Sequence, residues 1–195
     1  MLLIIGFWVK VYHSDIELWK EVLSGDIHAY EYLYSSYVTR MFNYGMKISH
    51  ENNLVKDAIQ EVFINIIHKR ERLSEVKNIK LYLFKALRLE LWRQLKREQK
   101  IQDIEELDFS SEFSIEDQCI KDEIAMIRVN EITKALNNLP KRQKEAIFLK
   151  YYEGLSYQEI SEIMQTEQSS AYKIVYKAIE ALYQKLSLKS GKLFY

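Results

Sequence analysis

The sequence predicts an all-α protein made of two small helical domains joined by an acidic flexible linker, with a helix-turn-helix in the carboxy-terminal domain. Three observations carry this expectation. One proline and five glycines in 195 residues leave few of the breakers that strand-and-turn folds need, while long runs of Leu, Ile, Glu, Lys and Ala favour helix. Apolar residues recur at helical spacing over most of the chain. The stretch IQDIEELDFSSEFSIEDQ, from Ile101, interrupts that periodicity with acidic and serine residues and reads as a linker. A hydrophobic fraction of 48% supplies a core for two domains of this size.

Residues 1–14 form an apolar extension that opens with MLLIIGFWV. That run is shorter than the roughly 20 residues a membrane-spanning helix requires, and it lacks the basic leader and small-residue cleavage site of an export signal. It is either a packed extra segment or the product of an upstream start codon. The first domain, residues 15–100, reads as four helices at about 15–23, 26–48, 53–70 and 79–98, separated by the breaks SGD, SHENN and SEVKN. Their apolar stripes begin with Ile16, Trp19, Val22 and Leu23, then Tyr30, Leu33, Tyr34 and Tyr37. The fourth helix sets Leu81, Phe84, Leu87, Leu91 and Leu95 on one side. Its other positions interleave Lys80, Lys85, Arg88, Arg93, Lys96 and Arg97 with Tyr82 and Trp92. Basic side chains bind phosphate, and exposed aromatics stack on unpaired bases; core packing is the competing role for Tyr82 and Trp92.

The linker, residues 101–122, leads to a second domain at residues 123–187, followed by a tail at 188–195. In that domain Pro140 suits the first turn of a helix, because its fixed φ is helical and its missing N–H has no partner there anyway. Gly154 then closes one helix, and Ser156 with Glu159 three residues later has the capping-box spacing of the next. After the polar break QTEQS, a long helix places Ala171, Ile174, Val175, Ala178, Leu182 and Leu186 on one side and Ser170, Tyr172, Lys173, Tyr176 and Lys177 on the other. A short helix, a tight turn and a longer helix with a basic outer face form a helix-turn-helix, whose second helix enters the major groove.

A net charge of zero hides alternating blocks. Residues 69–100 hold 11 basic against 4 acidic side chains, residues 101–123 hold 1 against 9, and residues 124–195 hold 11 against 7. Two basic blocks flanking an acidic connector favour an anionic partner. The single Cys119 forms no internal disulfide and fits a reducing cytoplasm. The four histidines show no HxxxH or HExxH pattern, and no nucleophile elbow or phosphate-cradling glycine loop occurs. Neither domain calls for a metal, a cofactor or a small-molecule substrate.

Residue patterns alone leave three readings open: a promoter-specific initiation factor, a helix-turn-helix regulator of duplex DNA, and a helical scaffold. The arrangement resembles the bacterial sigma factors of the extracytoplasmic-function group, two-domain members of the sigma-70-type family. The resemblance spans about residues 14–187. It rests on DIELWKEVLSGDIHAYEYLYSSY at Asp15–Tyr37, DAIQEVFINII at Asp57–Ile67 and LPKRQKEAIFLKYYEGLSYQEISEIM at Leu139–Met164. It implies a cytoplasmic, non-enzymatic protein that binds core RNA polymerase and promoter DNA, both duplex and melted, under the control of an anti-sigma factor that is often membrane-bound. In the first domain it implies that Asp57, Gln60, Glu61 and Phe63 dock on the polymerase clamp helices. Promoter melting would fall to Asn78, Lys80, Tyr82, Lys85, Arg88, Trp92, Lys96 and Arg97. In the second domain, Arg142, Ser169, Ser170, Tyr172, Lys173, Tyr176 and Lys177 would contact the upstream promoter element. Two departures bear on promoter preference: Leu89 stands where the family often has Asn, and Tyr172 and Ile174 stand where it often has basic residues.

Overall fold

The computed structural model describes residues 12–98, 100–104, 107, 109 and 123–190, with the backbone alone for 123–128 and 187–190. Residues 1–11 of the apolar extension, most of the linker and the end of the tail lie outside it. Among the described residues every regular element is a helix. The amino-terminal domain contains α1 (Asp15–Ser24), α2 (Ile27–Ile48), α3 (Asn52–Lys69) with a 3₁₀ turn at Arg70–Arg72, and α4 (Ile79–Arg97). The carboxy-terminal domain contains α5 (Glu123–Asn137), α6 (Lys141–Ile147), which widens into a π turn at Phe148–Tyr152, α7 (Tyr157–Ile163) and α8 (Gln168–Ser190).

Local chemistry explains the helix starts. Ser14 Oγ accepts from Glu17 N, Asp26 Oδ1 accepts from His28 N and Ala29 N, and Asn78 Oδ1 accepts from Leu81 N, each satisfying otherwise orphaned donors. The α1 carboxylate Asp15 goes further and accepts from Ile79 N at 2.8 Å, tying the first helix to the start of the fourth. Pro140 sits at the N-cap position immediately before α6, one residue earlier than the first-turn position expected of it.

In the amino-terminal domain α2, α3 and α4 pack on one another and α1 closes over α2. Trp19 is completely buried, its Nε1 donating to Ser74 O at 3.1 Å while its ring meets Tyr82 edge-on at 5.0 Å. The first stripe is shifted from its expected position: Leu18, Trp19 and Val22 face inward, while Ile16 is exposed. The α2 and α3 helices approach closely at Gly45, where an added Cβ would lie 2.6 Å from Val55 Cγ1. In the carboxy-terminal domain α5, α6 and α7 all pack on α8, whose Ala171, Val175 and Ala178 are buried as the periodicity predicts.

The two domains share one core. Tyr44 of α2 stacks on Phe148 of the π turn at 6.0 Å, and Phe109 inserts beside both at 6.2 and 5.7 Å. Leu107 and Phe109 are buried, so the described part of the linker is anchored by apolar side chains set among its carboxylates.

This packing makes the protein sensitive to alkali. Burial first, then the charge of Asp15, raises the Tyr37 pKa to about 12, and burial together with Glu145 raises that of Tyr44 well above 10.0. As pH rises through about 10 the unfolded phenols ionise while the native ones stay neutral, so the native state binds more protons and stability falls. That contribution is complete below pH 10 and is lost as Tyr37 titrates near 12. Lys80, whose pKa burial lowers, acts in the opposite sense. The difference made by Tyr37→Phe is therefore the clean readout: urea midpoints measured from pH 8 upward should fall above pH 10, and less steeply in that variant.

Candidate nucleic-acid interface

The turn into the helix-turn-helix is built as the sequence spacing requires. Gly154 has φ +69°, a left-handed conformation that glycine adopts without penalty. Ser156 Oγ accepts from Glu159 N at 3.3 Å and Glu159 Oε2 accepts from Ser156 N at 2.6 Å, completing the capping box. The turn from α7 to α8 uses a residue that the sequence does not mark, since Gln165 takes φ +51° and Thr166 N donates back to Ser161 O at 2.9 Å.

The face of α8 opposite its buried stripe carries Tyr172 and Tyr176, 51% and 57% exposed, with exposed Lys173, Lys177 and Ser169 and half-buried Ser170. The aromatics form a continuous strip. Tyr157 of α7 meets Tyr172 edge-on at 5.2 Å, Tyr172 stacks on Tyr176 at 6.2 Å, and Lys150 Nζ lies 4.5 Å above the Tyr157 ring. Lys150 and Tyr157 therefore extend the face beyond the residues named from sequence; the signal for Tyr157 was its place directly after the capping serine. Arg142 is half-buried in the first turn of α6.

The basic residues of α4 divide into two groups. Lys96 and Arg97 near its end are exposed; Lys96 Nζ lies 4.9 Å over the half-buried Trp92 ring, and Arg97 pairs with Glu90 at 3.8 Å. Tyr82 is half-buried against Trp19. The remaining residues face the carboxy-terminal domain. Asn78 Nδ2 donates to Glu159 Oε1, Lys80 Nζ donates to Glu153 O at 2.7 Å, and Lys85 pairs with Glu162 at 3.6 Å. Arg88 departs from the expectation of an open phosphate ligand: it is 4% exposed, and its Nε donates to Glu145 Oε1 at 3.0 Å, the same oxygen that takes the Tyr44 hydroxyl at 2.7 Å. Burial acts to lower the Arg88 pKa, but the charges of Glu145 and Tyr44 outweigh it and the pKa is raised. The reason for the departure is tertiary, because Glu145 lies 57 residues away in sequence.

A separate face is formed by α2 and α3. Asp57, Gln60 and Glu61 are exposed, whereas Phe63 is 2% exposed and held edge-on by Tyr30 at 5.9 Å and Tyr34 at 4.9 Å. Phe63 is thus the floor of an apolar groove of about 620 Å³ between the two helices, with Gln60 at its rim. The acidic positions line a neighbouring polar cleft that also takes in Gln94 and Arg97 of α4.

A capped helix-turn-helix with an exposed basic and aromatic helix, joined to a helical domain bearing its own basic helix and an apolar groove beside an acidic cleft, has the form of a nucleic-acid-binding protein. Residues 130–182 match the family model for sigma-70, region 4. Among curated proteins, the chain is 24% identical over 177 residues to the RNA polymerase sigma-H factor of Pseudomonas aeruginosa, covering 87% of this chain and 92% of that protein. It is 23% identical over 163 residues to the ECF RNA polymerase sigma factor SigM of Bacillus subtilis, covering 78% and 94%. Its fold is similar to that of the sigma factor RpoE in complex with the anti-sigma factor NepR from Bartonella quintana, at TM-score 0.59 and 22% identity over 83% of this chain and 98% of that one. It is similar also to CnrH in complex with the cytosolic domain of CnrY, at TM-score 0.57 and 16% identity over 88% and 96%. The chain is thus similar over most of its length to two RNA polymerase sigma factors, and its carboxy-terminal domain matches sigma-70, region 4.

Proposed function

We propose that the protein is a sigma factor of the sigma-70 family, in its extracytoplasmic-function group, and that it directs promoter-specific transcription initiation through a division of labour between its domains. The amino-terminal domain docks on core RNA polymerase through Asp57, Gln60, Glu61 and the groove floored by Phe63, and the basic side of α4 holds the melted strand. The carboxy-terminal domain lays α8 in the major groove of the upstream promoter element. The polymerase performs the nucleotide chemistry; the factor supplies binding and position and is not an enzyme. The observation that carries this reading is the outer face of α8, where Tyr172, Lys173, Tyr176 and Lys177 are exposed while Ala171, Val175 and Ala178 anchor the opposite side. Lysines attract phosphate, and the rings offer apolar surface to thymine methyl groups. The anti-sigma factor NepR bound in one of the similar structures supports an anti-sigma factor as the restraining partner here as well, and a cytoplasmic location follows from the same reading. Among the described residues no helix is long and apolar enough to cross a membrane.

Reconstitution with core polymerase and promoter variants tests the α8 assignment. Lys177→Ala should weaken promoter binding uniformly across sequences and reduce the slope of log affinity against log salt by about 1. Lys173→Ala should in addition change base preference, by roughly 1 to 3 kcal/mol at one position. If both variants keep parental affinity, salt dependence and start-site choice, the assignment of α8 is wrong.

A further inference from the structure

The groove between α2 and α3 is apolar, and the chain carries a segment suited to fill it. Tyr34, Val38 and Phe42 of α2 and Ile59 and Ile64 of α3 stand around the Phe63 floor, and the volume of about 620 Å³ is that of a binding pocket. Residues 1–11, MLLIIGFWVKV, hold nine apolar side chains and a single charge, Lys10. Both surfaces gain by leaving water together.

The start of the described chain fixes where that segment departs. Tyr12 packs its ring on Tyr32 of α2 at 5.1 Å, beside a hollow that takes in Ser36 and Tyr37. The departure point is therefore on α2 itself, across the helix from the groove. Between the two run Ser35 and Thr39, small and exposed, so a chain crosses the helix there without displacing a large side chain. Half the circumference of a helix 10–12 Å across is about 17 Å, which about five extended residues cover. Residues 7–11 suffice for the crossing. The remaining residues 1–6 reach about 20 Å, against about 18 Å along α2 from Tyr30 to Phe42.

We propose that residues 1–6, MLLIIG, lie in the α2–α3 groove over Phe63, so that the amino-terminal segment and core RNA polymerase compete for one surface. This deepens the docking reading and rests on it. Attachment favours the segment as occupant: a short tether holds it at an effective concentration on the order of 1 mM, so a weak fit fills the groove, and a tighter-binding polymerase displaces it.

The test compares the full chain with its Leu3→Glu, Ile5→Glu variant, using methyl NMR of Val38, Ile59 and Ile64 and affinity for core RNA polymerase. The variant should shift these methyl resonances, leave those of Ile160 and Val175 in the carboxy-terminal domain in place, and bind polymerase at least fivefold more tightly. Unmoved groove methyls overturn the proposal, whatever the affinity does. Shifts confined to concentrations at which sedimentation velocity shows a dimer make a second copy the donor and overturn it too. If the methyls shift but the affinity does not rise, the competition is overturned, and adding Asp57→Lys with Glu61→Lys judges the docking reading: a tenfold loss keeps α3 as the polymerase face, and no loss removes that as well.

Discussion

A variant carrying Asp57→Lys and Glu61→Lys is expected to bind core RNA polymerase at least tenfold more weakly than the parent, with its thermal midpoint nearly unchanged. Both residues are exposed on α3, and neither contributes a side chain to the buried core. Exposed charges add at most about 1 kcal/mol each to stability, so the fold has little to lose. An interface gives the same charges more weight, because opposite-sign surfaces steer encounter and like-sign juxtaposition costs several kcal/mol; a tenfold loss needs only about 1.4 kcal/mol. Asp57→Asn with Glu61→Gln separates attraction from repulsion and should give a smaller loss, together with a weaker dependence of the association rate on salt. Unchanged polymerase affinity in a helical, monodisperse double variant removes α3 from the docking surface.

The largest effect on stability is expected at Trp19. Trp19→Ala should destabilise the amino-terminal domain by about 3 to 5 kcal/mol, the range for deleting a large buried aromatic. Native domains hold only about 5 to 15 kcal/mol in all, so the variant should unfold partially near physiological temperature. The location compounds the loss. Trp19 Nε1 holds Ser74 O in the segment that precedes α4, and its ring supports Tyr82 in the first turn of that helix. Trp19→Phe keeps most of the packing and loses the hydrogen bond, at about 1 kcal/mol. Urea unfolding followed by circular dichroism checks both values. A cost below 1 kcal/mol for Trp19→Ala would mean that the core around α1 collapses without strain.

The features legible from sequence were those decided within about four residues. The capping box at Ser156 and Glu159, the left-handed Gly154 and the buried stripe of Ala171, Val175 and Ala178 depend on local spacing, and each appears where the spacing puts it. Features decided by distant partners were not legible. Arg88 reads as an open cation because of its charge, although four residues after Phe84 and three before Leu91 it falls on the apolar side of α4, where Glu145 and Tyr44 enclose it. Phe109 sits in a strongly acidic stretch whose composition gives no hint of an aromatic anchor against Tyr44 and Phe148. The π turn at Phe148–Tyr152 likewise has no local signature. In the candidate site, therefore, the buried and exposed sides of α8 follow from local spacing, whereas the partners of α4 depend on a domain contact that helical periodicity does not encode.

Asn78 and Glu159 each do two jobs with different atoms. Asn78 caps α4 through Oδ1 and gives Nδ2 to Glu159; Glu159 takes the Asn78 amide on Oε1 and completes the α7 capping box through Oε2. Two helix starts, each with a partial positive charge, thus meet across a single carboxylate that both favour. The bridge is modular: if it breaks, each helix retains its own cap, and only the bond between them is lost. Asn78→Asp should therefore spare the α4 cap while setting two carboxylates against each other, giving the contact a repulsive handle one atom in size.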